Sequence, residues 1–273
     1  MSSHREINIE GPVIDMLEKT ILSRRQFLSL LLTAIPGASI AHGVTIEPER
    51  LKVTNRFLKL SGPPLRIVHF TDLHYRGDSP LNRKVAAEIQ RLRPDFACFT
   101  GDLIDSVDVK KGAFAFIRSL GCPVYAIPGN HDYTSGVPFR EFAEVFSATG
   151  GAWLENGSLL VPGRELELVG LAGNASRAIN PPLSRNRILL THFPQVVDTV
   201  SGAEFTAVLA GHSHGGQVRL PFLGSLYLPP GVGRYDLGTF MTPVGPMHVN
   251  AGIGTSALPV RFCCPPELSL FQS

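Results

Sequence analysis

Apolar positions along the chain follow two alternating periodicities from residue 65 onward. Residues 65–70, Leu-Arg-Ile-Val-His-Phe, are rich in β-branched and aromatic side chains and predict a strand. Over 81–93 the apolar residues Leu81, Val85, Ala86, Ile89 and Leu92 recur at helical spacing, and Pro94 ends that helix. Residues 96–99 predict a second strand, 109–120 a second helix, and 123–127 a third strand. A third helix over 138–149 puts Phe139, Phe142, Val145 and Phe146 on one side. The second half is richer in strands. Residues 165–170 alternate as a half-buried strand does, whereas 187–190 and 207–210 read as buried strands and 247–250 as one more. Residues 218–250 hold many glycines and prolines, with short runs that read as hairpins. The expected fold is therefore α/β, with two stacked mixed β-sheets flanked by helices. In such sheets ligands collect outside the carboxyl ends of the strands.

The N-terminal pattern is different. After a polar stretch over 1–22 comes Ser23-Arg24-Arg25-Gln26-Phe27-Leu28, then a short apolar run to Ile35. A charged segment followed by an apolar run and small residues reads as an export signal. The arginine pair before Phe-Leu resembles a twin-arginine signal, which would make the twin-arginine export machinery a partner. The run is far short of the roughly 20 apolar residues that span a bilayer. Ser39-Ile40-Ala41 offers small residues for cleavage; an uncleaved segment would serve as a membrane anchor. The plainer alternative is an amphipathic or buried helix. The chain is expected to divide into a signal or anchor over 1–42 and a globular body over 43–273. The exported reading places the body on the extracytoplasmic face of the bacterial inner membrane or beyond it.

Composition adds limits. Of 273 residues 44% are hydrophobic and 18% charged, an ordinary globular balance with material for a sizeable core. A net charge of +2 gives no basic field for nucleic acid, so no nucleic-acid partner is expected. The cysteines, Cys98, Cys122, Cys263 and Cys264, form no C-x-x-C pair and read as structural.

The candidate chemistry sits where the predicted strands end. Thr71-Asp72-Leu73-His74 follows the first strand and Thr100-Gly101-Asp102-Leu103-Ile104-Asp105 the second. Pro128-Gly129-Asn130-His131-Asp132 follows the third, and Thr191-His192 and Gly211-His212-Ser213-His214 follow two later ones. Five of the nine histidines lie in these turns. One such turn could be a polar turn with a backbone hydrogen bond; the recurrence points to metal. Carboxylate, imidazole and amide donors without thiolate suit Mn, Fe, Zn or a similar divalent pair and do not select among them.

These motifs, D-x-H at 72–74, G-D-x-x-D at 101–105, G-N-H-D at 129–132, His192 and G-H-x-H at 211–214, resemble the calcineurin-like metallophosphoesterase superfamily over roughly 65–273. Residues 215–221 and 261–267 look like its bacterial YaeI/YkuE-like phosphodiesterase branch. The resemblance implies a metallophosphoesterase four-layer sandwich with the body as catalytic domain. It also implies two divalent metal ions: Asp72, His74 and His214 would hold one, Asn130, His192 and His212 the other, and Asp102 would bridge them. It implies in-line attack on phosphorus by a hydroxide shared between the metals. His131 would stabilise the transferring phosphate or protonate the leaving oxygen. Asp105 would orient an imidazole, its plainer alternative being a helix N-terminal carboxylate. His69, His248 and Asp132 read as core or supporting groups. The implied activity is a phosphodiesterase. Its alternative is a pyrophosphatase of the UDP-2,3-diacylglucosamine type acting on a lipid-linked nucleotide sugar. A non-catalytic scaffold is disfavoured because His131 is present.

The stretch after His214 is apolar and interrupted by proline, with Leu220, Phe222, Leu223, Leu226, Tyr227 and Leu228. It reads either as a hairpin packing on the sandwich or as an apolar wall beside the metals, built with Phe222 and Leu223. In the second reading Arg219 would bring charge to a phosphate.

Overall fold

The apolar runs become two six-stranded sheets stacked face to face. The structure is a computed structural model that describes residues 41–173, 179, 181–256 and 258–273. The signal or anchor expected over 1–42 lies outside the described residues apart from its last two. His42–Ser273 forms one compact unit.

The first sheet is built from β1 (Lys52–Phe57), β2 (Arg66–Phe70), β3 (Phe96–Phe99), β4 (Val124–Ala126) and β5 (Ala152–Trp153). Helices α1 (Pro80–Leu92), α2 (Lys110–Ser119), α3 (Asn130–Thr134) and α4 (Phe139–Ser147) fall between these strands. Then come β6 (Ser158–Leu160), β7 (Leu166–Leu171), β8 (Asn186–Thr191) and β9 (Ala207–Ala210). A small hairpin, β10 (Arg219–Leu220) and β11 (Gly224–Ser225), precedes β12 (Gly238–Thr242), β13 (Gly245–Val249) and β14 (Glu267–Gln272). Sheet order is β1-β14-β2-β3-β4-β5 in one and β12-β13-β9-β8-β7-β6 in the other. Strands β2 to β5 are parallel, as are β7, β8, β9 and β13. The C-terminal strand β14 enters the first sheet antiparallel to β2, pairing Leu270 with Val68.

Alternation along each strand divides the core into layers. One face of the first sheet, with Val68, Phe70, Ala97, Phe99, Val124 and Ala126, packs on Val85, Ile89, Phe114, Ile117, Phe142 and Phe146 of the helices. The other face, with Ile67, Phe96, Cys98, Tyr125 and Ile127, meets Leu166, Leu168, Ile188, Leu190 and Leu209 of the second sheet. The far face of the second sheet is covered by Val196 and Val197 of a 3-10 turn and by Phe205 and Tyr235. Helix α1 starts where the Ser79 Oγ accepts from the Asn82 N–H at 3.1 Å and stops at Arg93, left-handed at φ 45°, just before Pro94.

Strand β7 differs from the half-buried strand its alternation predicts: every residue of it is buried. It lies inside the second sheet, so both its faces are covered. Glu167, 0% exposed, is tolerated there because Arg187 Nε on β8 donates to its Oε2 at 2.8 Å and the Leu183 N–H donates at 3.0 Å. Strand β1, with few apolar residues, was not legible from periodicity; it is an edge strand set beside β14 by register, Lys52 opposite Glu267. The glycine- and proline-rich region does contain two hairpins, β10–β11 and β12–β13.

Two buried charges yield tests. Arg187→Met strands the Glu167 carboxylate in the core and is expected to cost about 3–5 kcal/mol, read as a lower urea midpoint. The double variant with Glu167→Met should regain most of that loss. Glu267, 5% exposed, accepts from Thr54 Oγ1 at 2.6 Å and the Ala251 N–H at 3.2 Å, with His248 at 3.6 Å. Burial pushes its carboxyl up, but the His248, Thr54 and Ala251 donors outweigh burial and hold it at about 2, against 4.5 when free. A depressed carboxyl stabilises the fold above its unfolded value, so about 3 kcal/mol should be lost as pH falls from 4.5 towards 2. Glu267→Gln should flatten that acid limb in urea melts taken across pH; an unchanged limb would assign acid sensitivity elsewhere.

Candidate metal centre

Parallel strands of both sheets end at one edge, and there the motif residues meet. Asp72 and His74 follow β2, Asp102 and Asp105 follow β3, Asn130 and His131 open α3 after β4, His192 follows β8, and His212 and His214 follow β9. Asp72, His74, Asp102, His192, His212 and His214 are all buried, while Asn130, His131 and Asp105 are half-buried at the rim.

The donors form two clusters. Asp72, His74 and His214 offer one ligand atom each, all within 4.8 Å of one another, and so do Asp102, His192 and His212. Asp102 joins the clusters: its Oδ2 is 3.2 Å from His192 Nε2 and 3.6 Å from His74 Nε2. Asn130 Oδ1 lies 3.1 Å from His192 Nε2 and so belongs to the second cluster. Each of three imidazoles has one nitrogen engaged by an oxygen outside the clusters. His74 Nδ1 meets Asp105 Oδ1 at 2.6 Å, His192 Nδ1 meets Thr100 O at 2.7 Å, and His212 Nε2 meets Pro230 O at 2.8 Å. A nitrogen facing a carbonyl or carboxylate must carry the proton, so the opposite nitrogen presents its lone pair to the cluster. The cluster-facing nitrogens approach closely: His74 Nε2 and His214 Nε2 are 3.2 Å apart, as are His212 Nδ1 and His192 Nε2, and the buried His214 Nδ1 has no hydrogen-bond partner among the described residues. Without positive charge among them such nitrogens can meet only by sharing a proton, and nitrogens, carboxylates and an amide converging in this way are a donor set that fits divalent cations. Charge follows the same logic. Burial pulls His192 down, but Asp102 and Asp72 outweigh it and push the imidazole up to about 9, so that without an ion a proton on its cluster-facing nitrogen supplies the positive charge. Burial and His192 push His212 down to about 4, leaving it neutral as a ligand must be.

Convergence is held by strained backbone. Among the described residues ten non-glycines have positive φ, and Asp72 (51°), His74 (41°), Asp102 (60°), His212 (68°) and His214 (48°) are half of them. Such strain persists only where surroundings over-determine it. Asp132 supplies much of that constraint. Its buried carboxylate accepts the backbone N–H groups of Asp102 at 2.8 Å, Leu103 at 2.9 Å and Gly129 at 2.9 Å, pinning the β3 and β4 turns together. Gly101 is required by close approach: a Cβ there would lie 2.5 Å from Gly129 N and 2.9 Å from His192 Nδ1. Arg261, which the sequence marks only as part of the branch-like stretch 261–267 and gives no role, is fully buried and donates to the carbonyls of Ala251, Gly252, Gly254 and Cys264. The loop so held gives the Ile253 N–H to Thr71 O and the Gly254 N–H to Asp72 O, bracing the first cluster.

At the rim His131 Nδ1 is 3.0 Å from Asp105 Oδ1, and its backbone N–H donates to Asp102 Oδ1 at 2.8 Å. Asp105 thus serves both His131 and His74, with Arg76 at 3.6 Å, rather than a helix terminus. Burial alone would raise Asp105; the His131 and His74 hydrogen bonds instead hold it well below the carboxylate range. The same hydrogen bond raises His131 against the opposing effect of burial. His69 and His248 lie away from the clusters, bonded to Thr100 Oγ1 at 2.9 Å and Ser269 Oγ at 2.8 Å.

A cleft of about 570 Å³ opens over Asp102, Asn130, His131, His212 and His214, walled by Leu226, Tyr227, Pro229, Pro230, Leu258 and Val260. The wall therefore exists, but not where Phe222 and Leu223 were expected to make it: both project into solvent at the hairpin tip. The three-residue turn carries them away from the metals. Arg219 does not face the cleft with a free charge either; it pairs with Asp236 at 2.9 Å and with Gly215 O at 2.8 Å.

Comparison with known proteins agrees with this geometry. The sequence profile of the calcineurin-like phosphoesterases matches residues 65–216. A metallophosphoesterase of Bacillus subtilis, YkuE, is 30% identical over 92% of this chain and 97% of its own. The phosphodiesterase YaeI of Escherichia coli is 28% identical over 92% of this chain and 99% of its own. The UDP-2,3-diacylglucosamine pyrophosphatase LpxG of Chlamydia muridarum is 27% identical over 88% of this chain and 95% of its own. With two clusters of metal donors joined by a carboxylate at one sheet edge, and a profile match across more than half its length, this chain belongs to the calcineurin-like phosphoesterase family and is a metal-dependent phosphoester hydrolase.

Proposed function

We propose that the chain is an exported or membrane-anchored phosphodiesterase whose substrate carries a bulky apolar group. The observation that carries this reading is one cleft with a floor of metal donors and an apolar wall: Asp102, Asn130, His131, His212 and His214 on one side, Leu226, Tyr227, Leu258 and Val260 on the other. A small phosphomonoester would leave that wall unused.

Asp72, His74 and His214 would hold one divalent ion and Asn130, His192 and His212 the other, with Asp102 between them. Bound there, two ions supply positive charge for phosphoryl oxygens and lower the pKa of water. The chain's own residues do the rest. Asp105 fixes the tautomer of His74 and raises His131 above an ordinary imidazole, which favours His131 as the group that gives a proton to the leaving oxygen or stabilises the transferring phosphoryl group. The apolar wall orients the substrate and excludes water from one side of the cleft.

A pyrophosphatase acting on a lipid-linked nucleotide sugar is the second reading. It is favoured by the same wall and by the likeness to LpxG. A hydrolysis panel with added Mn, Fe or Zn separates the readings: aryl phosphodiesters, phosphomonoesters and a diacylated nucleotide-sugar pyrophosphate. Preference for diesters supports the first reading, preference for the pyrophosphate the second, and turnover of monoesters alone rejects both.

Asp102→Ala should empty both metal positions together, as read by elemental analysis. His131→Ala should keep its metals while kcat falls about 10²-fold or more. Loss of metal from His131→Ala would remove it from its assigned role. For the export reading, Arg24→Lys with Arg25→Lys preserves charge but should leave the protein in the cytoplasm. Unchanged delivery of a tagged double variant, followed by fractionation, would sink the twin-arginine assignment.

A further inference from the structure

The tip of the β10–β11 hairpin spends conformational strain on nothing inside the molecule. Phe222 has φ 67° and is 108% exposed, so a bulky ring sits on left-handed backbone with no packing to offset it. Leu223 beside it is 79% exposed, and Leu226 and Tyr227 follow at 61% and 70%. On the facing lip of the cleft Leu258 is 67% exposed. Five of the thirteen large apolar side chains exposed among the described residues therefore lie on these two lips, which is a patch rather than scatter. Leu226, Tyr227 and Leu258 also line the cleft, so apolar surface runs from the tip to the metal donors.

The lips are one platform. The Gln217 side-chain amide donates to Leu258 O at 3.0 Å and Val260 O at 3.1 Å, and its oxygen accepts the Ser256 N–H at 2.6 Å. They are also free of charge: no Asp, Glu, Lys or Arg occurs over 220–233 or over 249–260. Arg219 and Arg234 bracket the first stretch, but Arg219 is paired with Asp236 and Arg234 lies 3.7 Å from Asp198. Arg76 borders the second stretch, donating to Thr255 O at 3.1 Å. An apolar surface with no charge of its own and arginines only at its edge fits insertion among acyl chains, with the arginines at the level of the head groups. Tyr227, apolar in body and polar at its end, suits the boundary between acyl chains and head groups.

We infer that the two lips dock on a lipid bilayer, with Phe222 and Leu223 inserted, so that the cleft receives a phosphoester whose apolar part stays in the membrane. The docking stands on the exposed lips; only the last clause rests on the phosphodiester reading. The test uses the full chain with Phe222→Trp. Because residues 1–42 can hold the chain to vesicles by another route, tip depth is the readout, not binding. Phosphatidylcholine vesicles brominated along the acyl chains should quench the new indole well beyond the wild-type signal of Trp153. An unquenched tip, on a variant that still hydrolyses a soluble diester, overturns the inference. As a second arm, Phe222→Ser with Leu223→Ser should lower turnover of a vesicle-borne diester about 10-fold while a soluble diester is hydrolysed as before. Equal turnover of both also overturns it, as does a wild-type dimer that the double variant converts to monomer, which would make the lips a contact between two copies. If no diester is hydrolysed by any form, the phosphodiester reading fails, and the quenching still decides the docking.

Discussion

Buried lone pairs of imidazoles and carboxylates repel one another unless positive charge lies among them. The sheet edge of this protein gathers six such groups, with imidazole nitrogens as close as 3.2 Å. That arrangement is a receptor for cations, a proton on His192 or divalent ions, and it costs backbone strain at five of the six. The fold must supply the constraint that keeps these groups together when no ion helps.

It does so by cross-bracing turns that are far apart in sequence. Asp132 binds the backbone of the β3 turn and of Gly129 with one carboxylate. Arg261 gathers carbonyls of the 251–254 loop, whose N–H groups in turn hold Thr71 O and Asp72 O. Thr100 O and Pro230 O each fix one imidazole tautomer. These oxygens and amides carry no reaction themselves; they set which nitrogen faces the centre and so whether it can bind metal at all.

The cleft above the centre is two-sided. Its floor is made of metal donors, and its wall of Leu226, Tyr227, Leu258 and Val260 is apolar. His131 stands between, tied to Asp105 and raised towards protonation. That two-sidedness is what the proposals of an amphipathic substrate and of docking at a lipid surface rest on.

Much of this was legible before any coordinates. Parallel strands put their ends at one edge, so motifs after 65–70, 96–99, 123–127, 187–190 and 207–210 had to converge, and the helices followed from apolar spacing. Donor type limited the chemistry to divalent metal. What spacing could not carry was decided by contacts between distant segments. Strand β7 reads as half-buried because alternation reports one covered face, whereas stacking between two layers covers both and forces Glu167 onto Arg187. Strand β1 has no apolar pattern because an edge strand borrows its order from the register of β14. Arg261 lies in the stretch 261–267, which the sequence marks for its family resemblance without a role; its task as a brace emerges only where it gathers the carbonyls of the 251–254 loop. The direction of the hairpin was likewise open: composition makes Phe222 and Leu223 apolar, but only the turn geometry points them away from the metals and leaves Leu226 and Tyr227 as the wall. Local pattern determines which residues form elements and which carry chemistry; long-range packing alone determines which polar groups are buried together and which apolar ones are left outside.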